Sequence, residues 1–192
     1  KKRTLTQERL FAAQLPGSRI GHCTKPHTLP ATYMFKVQGT ISDRHILYLD
    51  IDDDLNEFGQ IELHSWVTFI IADDIDHPLL ERFAELSIDK NLIYMAATGN
   101  ACSQVDDLFD NVILRRELNG QQLPDWFKSE DDVLMTTWHH DFAEAFWYLT
   151  TAAHYGNIPI HTVFVANFTA VNRFDEIQDL TNKIKAGWLP SD

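Results

Sequence analysis

The run Trp66-Val67-Thr68-Phe69-Ile70-Ile71-Ala72 is apolar at nearly every position, rich in β-branched residues, and stops abruptly at Asp73-Asp74. A half-exposed strand alternates apolar with polar residues, so a continuous run of this length marks a strand covered on both faces. Leu92 to Thr98 and His161 to Phe168 read the same way, and Asp132 to Thr137 reads as a further buried strand. The segments between them carry helical spacing. Asp76 or His77 can cap a helix with Pro78 in its first turn and Leu79, Phe83 and Leu86 on one face. Ser103 can cap a second, with Val105, Leu108, Phe109 and Val112 turned inward. Asp141 and Glu144 have capping-box spacing ahead of Phe142, Phe146, Leu149 and Ala153, and that helix ends by Gly156. Phe174, Ile177, Leu180 and Ile184 predict a last amphipathic helix.

Strands that alternate with helices form parallel sheets, because each right-handed crossover returns the chain to the same end of the sheet. The expected fold is therefore an α/β three-layer sandwich with a mostly parallel central sheet, built from residues 66–192. Residues 32–65 read as two or three antiparallel strands that extend the same sheet, with Leu47, Leu49 and Ile51 on one face and Ile61 and Leu63 after a turn at Asn56 to Gly59. Residues 1–31 read as an arm, with a helix over Leu5 to Leu15, a Pro16-Gly17 break, and prolines at 26 and 30. A single domain of 192 residues is expected.

Asp and Glu total 28 against 16 Lys and Arg, a formal charge of −12. Such a field repels phosphate backbones and anionic lipid, which argues against nucleic acid and membrane surfaces as partners and favours a basic protein. Cys23 and Cys102 form no CxxC pair or disulfide framework, as in a reducing compartment. Lys1 to Leu15 lacks the apolar stretch of a signal peptide or membrane span, so the expected location is cytoplasmic.

In open α/β sheets ligands bind at the carboxyl ends of the strands, where loops and helix amino ends converge. That rule selects Asp73 and Asp74, the run from Thr98 to Ser103, and the run from Thr136 to Asp141. A thiolate at a helix start is stabilised by the helix dipole and by a neighbouring imidazolium. Cys102 as nucleophile, His139 as base, and Asp74 or Asp141 as orienter are thus the catalytic candidates, for a hydrolase or transferase acting on a small molecule. Asp73, Asn100, Ser103 and Trp138 are the ligand-binding candidates, since free amides and polar side chains at a helix start can hold a phosphate or carboxylate of a nucleotide or other small ligand. Neither GxGxxG nor GxxxxGK[ST] is present, and HExxH is absent. His22, Cys23 and His27 offer ligand types without a fourth partner, and the Asp50 to Asp54 run imitates a calcium loop without its glycine or its twelfth-position glutamate, so neither a metal nor another cofactor is expected.

Tyr94-Met95, Gly99, Cys102-Ser103 with Asp106-Asp107, then Met135-Thr136-Thr137-Trp138-His139 with Asp141, Glu144 and Phe146-Trp147, resemble a family of small bacterial α/β domains of unknown function. CSxxDD and TTWH elements carry the resemblance, which covers roughly Trp66 to Phe168. It implies a bacterial α/β domain and no particular reaction. Charge, size and the missing catalytic signature together point to a binding module, immunity-like or defence-associated, that recognises a protein partner. The enzyme and the ligand sensor stand as alternatives.

Overall fold

The computed structural model describes residues 36–129 and 132–190. The expected arm, with its helix and its His22-Cys23-His27 cluster, lies outside the described residues. Six strands form one sheet in the order β1-β2-β6-β3-β4-β5. They are β1 (Lys36–Ile41), β2 (Arg44–Asp50), β3 (Trp66–Ile71), β4 (Tyr94–Thr98), β5 (Met135–Trp138) and β6 (Thr162–Asn167). The helices are α1 (Asn56–Gln60), α2 (Leu80–Asp89), α3 (Cys102–Leu118), α4 (Phe142–Trp147) and α5 (Phe174–Lys185), and α4 runs into a π-helical turn at Tyr148–Ala152.

Only β1 runs antiparallel, joined to β2 by a tight turn in which Ser42 and Asp43 both hold positive φ, 46° and 67°. Such a turn matches the right-handed twist of a hairpin. β2 itself pairs parallel with β6, and β6 with β3, β3 with β4, β4 with β5. Ile61 and Leu63, expected on a strand, lie in the loop between α1 and β3 and tuck into the core from there.

Period-two alternation sends side chains to two cores. Trp66, Ile70, Met95, Ala97 and Phe164 face α1, α2 and α3, where Phe58 and Phe83 meet at 4.5 Å between ring centroids and Phe58 and Phe164 at 5.1 Å. Val67, Phe69, Ile71, Val163 and Val165 face α4 and α5, with Phe69 against Phe142 and Phe146. Each fully buried phenylalanine contributes about 2–3 kcal/mol by leaving water. β6 takes the centre because its VFVA run is apolar on both faces. β5 does not: Met135 and Trp138 are exposed and Thr136 and Thr137 half-buried, so the segment expected to be a buried strand is an edge strand. Threonine on both of its faces leaves little to hold between two helical layers.

Two polar ties complete the frame. The Arg116 guanidinium, only 6% exposed, binds Glu85 and Asp89 and locks α3 to α2, while Arg115 beside it binds Glu81 and Glu85. The Arg44 guanidinium donates to the carbonyls of Leu149 and Ala153 at 2.5 and 2.6 Å, satisfying groups that the π turn leaves open. Among the described residues no helix is long and apolar enough to cross a membrane.

Candidate functional site

β3, β4 and β5 are successive neighbours, so their carboxyl ends form one continuous rim. Gly99 turns the chain from β4 into α3 at φ +99°, a conformation L side chains rarely adopt. The turn is stitched to β3: Ala72 donates to the Thr98 carbonyl, Ala101 to the Ala72 carbonyl at 3.1 Å, and Asn100 to the Asp73 carboxylate at 3.0 Å. Asp73 and Asn100 are thereby brought together. Asp74 instead accepts the Asp76 N–H at 2.9 Å in a local turn. α2 begins at Leu80 with no side-chain cap, so neither Asp76 nor His77 caps it. α3 begins at Cys102 behind Ala101, also uncapped, and Ser103 is an exposed residue of its first turn.

Parity along β5 separates its polar residues. Leu134 belongs to the core under α3, so Thr136, Trp138 and His140 follow on that face, while Thr137 and His139 turn toward α4. His139 accordingly lies 5.9 Å from the Tyr148 ring, and its Nε2 is buried without a partner. His140 is the histidine beside the thiol, with Nδ1 3.9 Å from Cys102 Sγ and its ring 5.1 Å from Trp138. Asp141 stands at the start of α4, where its carboxylate accepts the Glu144 N–H at 2.8 Å. Cys102 is 1% exposed. Its sulfur is packed in the core beneath the start of α3 and is closed to substrate in this conformation.

Sequence motifs do not single out Asp106 and Asp110 as site residues, although Cys102, Asp106 and Asp110 share helical i, i+4, i+8 spacing against the alternating Thr136, Trp138 and His140. Burial pushes the Asp106 carboxyl above its usual range, a hydrogen bond from Thr136 pulls it part of the way back, and Asp110 and Asp107 push it up again. One Asp106 oxygen is buried without a partner, and the single Thr136 hydroxyl proton is shared with Asp110, 3.2 Å away. The seam between α3 and β5 is therefore polar around Thr136.

A second network stands where β2 and β6 end. The Tyr48 hydroxyl donates to Asp50 and accepts from the Arg173 N–H at 2.8 Å and from Asn167 at 3.1 Å, while Asn172 donates to Asp50 at 2.5 Å. Burial, reinforced by the Asp50 carboxylate, pushes the Tyr48 hydroxyl well above the ordinary tyrosine range. These bonds hold the loop between β6 and α5 in one shape.

Carboxylates crowd the remaining rim. One groove of about 210 Å³ is lined by Asp50, Asp52, Asp53, Asp54, Glu57 and Leu49. Another, about 580 Å³, has Asp141, Asp175, Glu176 and Asp179 facing Lys183. Among the described residues no three His, Cys, Asp or Glu side chains converge in an arrangement that holds a metal ion. Asp54, which completes the DIDDD run, accepts from the Asn56 main chain through one oxygen and from its side chain through the other.

Comparison with curated proteins and with solved structures finds no match. A family model described as a domain of unknown function, DUF7684, matches residues 44–184, from the first residue of β2 to the last turn of α5. With well over half its length covered, the chain belongs to the domain-of-unknown-function family DUF7684.

Proposed function

We propose that this chain is a recognition module that binds a basic protein partner through the acidic rim at the carboxyl ends of its parallel strands. The observation that carries this reading is where the acids gather. Asp52 and Asp53 follow β2, Asp73, Asp74 and Asp76 follow β3, Asp141 follows β5, and Asp175 and Glu176 open α5; all are exposed. Separate connections thus deliver like charge to the end of the sheet where α/β folds place their ligands. Among the described residues the ion pairs of Arg115 and Arg116 join α2 to α3, and the salt bridge that reaches these loops is Arg173 with Glu176 at 2.9 Å. Holding like charges together costs free energy in the free protein, and a cationic partner recovers it while being steered to the site.

The grooves support a protein partner over a small molecule, since they are lined by carboxylates where small-ligand pockets are largely apolar. An immunity-like role, in which an acidic protein covers a basic effector, is the biological setting that this chemistry fits. The test compares Asp52→Asn/Asp53→Asn/Asp73→Asn/Asp74→Asn with a control carrying the same charge change on Asp43, Glu62, Glu81 and Asp125. A host protein retained at low salt by the wild type and the control, released by salt, and lost by the rim variant carries the reading. Equal retention by rim variant and control refutes it.

A further inference from the structure

We infer that the free edge of β5 accepts an extended segment of the partner, carrying both basic and apolar residues, as a seventh strand of the sheet. This rests on the proposed recognition of a basic protein and names a second place where that protein touches the chain.

The case begins with main-chain groups. β5 ends the strand order, and the His139 N–H bonds the Ala97 carbonyl at 2.9 Å as a continuation of the ladder to β4. In a parallel ladder alternate residues bond the same neighbour, so Thr136 and Trp138 turn their N–H and C=O groups away from β4. Nothing among the described residues meets them. Folded proteins blunt such edges with proline, charge, bulges or a covering element. The opposite edge shows these devices: β1 carries Lys36 and a bulge between Val37 and Gly39, and Gln178 of α5 reaches over to donate to the Gln38 carbonyl. Met135-Thr136-Thr137-Trp138 has no proline, charge or bulge. Among the described residues, shortness is the protection it has.

The surroundings specify what pairs with it. A groove of about 430 Å³ runs along the α3 flank, floored by Ile113, Leu114, Phe127, Val133 and Met135. Leu114 of α3 is 52%, Val133 53% and Trp138 of β5 45% exposed, far more than the large apolar side chains of β3, β4 and β6. Asp110, Glu117 and Asp132 line the same groove. Successive side chains of a strand laid there turn to opposite faces of the sheet, so every second one enters this groove, where Val- or Ile-like residues suit the floor and Lys or Arg the carboxylates. A second copy of this chain is the wrong occupant on charge, because it brings Asp110, Glu117 and Asp132 against their own kind at −12 per chain.

The probe is a short synthetic peptide in which every second residue is by turns valine and lysine, with threonine between, measured against its glutamate-for-lysine counterpart and against the lysine peptide N-methylated at alternate amides. Binding is followed by the Trp138 signal and by hydrogen exchange at the Thr136 and Trp138 amides. The expected result is protection of those two amides by the lysine peptide alone. Thr136→Pro, which removes an outward N–H, and Leu114→Lys, which places a like charge on the groove floor, each weaken binding about tenfold or more. Leu114→Lys keeps the test intact if the proline variant misfolds. Equal binding of the N-methylated and parent peptides, or of wild type and both variants, overturns strand addition. If that binding still weakens with salt, the basic-partner reading survives alone. Absence of binding by any peptide, or protection of the same amides by self-association without peptide, also overturns the inference.

Discussion

Replacing Gly99 by alanine tests how the rim is built. An ideal Cβ on Gly99 falls 2.3 Å from the Ala72 carbonyl oxygen, 2.8 Å from its carbon and 3.0 Å from the Asp73 carboxylate. These are mostly main-chain atoms of a buried strand end, so rotating a side chain does not relieve the overlap. Relief requires moving Ala72, whose carbonyl accepts the Ala101 N–H at 3.1 Å and whose N–H reaches Thr98 at 3.0 Å. Alanine at φ +99° costs about 1–3 kcal/mol in strain, and loosening one of those hydrogen bonds costs about 1 more. The lower entropy of the unfolded alanine chain returns about 0.5 kcal/mol. The net loss is about 1.5–3.5 kcal/mol, which for a chain of this size lowers Tm by about 3–14 °C. Thermal and urea unfolding followed by circular dichroism measure it directly. Gly59→Ala is the control, since nothing lies within 4 Å of a Cβ added there and its φ is ordinary for L residues. A Gly99→Ala protein within about 0.5 kcal/mol of wild type, alongside an equally neutral Gly59→Ala, refutes the reasoning.

Arg116→Ala leaves Asp89 without its cation and Glu85 with Arg115 alone, and is expected to cost about 3 kcal/mol in urea unfolding, while Arg116→Met costs less because it keeps the packing. Burial raises the Glu85 carboxyl, but hydrogen bonds from Arg116 and Arg115 outweigh it and hold the group below the usual range. Its stabilisation is therefore full above the unfolded glutamate pKa near about 4.3 and is lost as pH falls through the folded value, so the acid limb of stability flattens in Arg116→Met. Asp106 runs the other way: its raised carboxyl makes the charged form costly in the fold, so Asp106→Asn stabilises at neutral pH and loses that advantage as both states protonate in acid. Melting curves across pH decide the sign. In a Cys23→Ser background, the single thiol of Cys102 reacts with a disulfide reagent at least about a hundredfold more slowly in the native protein than in urea, because it is 1% exposed behind His140. Fast native reaction shows instead that the fold opens around Cys102 and the thiol is open to chemistry.

Features that depend on nearest neighbours along the chain are legible in the amino-acid sequence. The doubly apolar runs of β3, β4 and β6 announce strands covered on both faces, Phe83 and Ile177 mark inward faces of α2 and α5, and Asp141 caps α4 through a bond three residues away. The alternation of these elements is enough to imply a mostly parallel α/β sheet, because crossover handedness is a local steric preference. Tertiary structure decided the rest. Ile61 and Leu63 fit a strand by spacing alone, yet two residues of period two carry too little signal to distinguish a strand from a loop that dips into the core. That β6 slips between β2 and β3, leaving β5 at the edge, depends on which strand buries most area on both faces, a competition among segments far apart in sequence. The thiol's neighbour turned on a single residue of parity. His139 and His140 are equivalent in sequence, but only the register of β5 against β4, set by the pairing of Tyr94 with Met135, sends one ring toward Tyr148 and the other toward Cys102. Local sequence encodes what a segment prefers to be; which face and which neighbour it receives follows from the pairing that buries the most apolar surface across the whole chain.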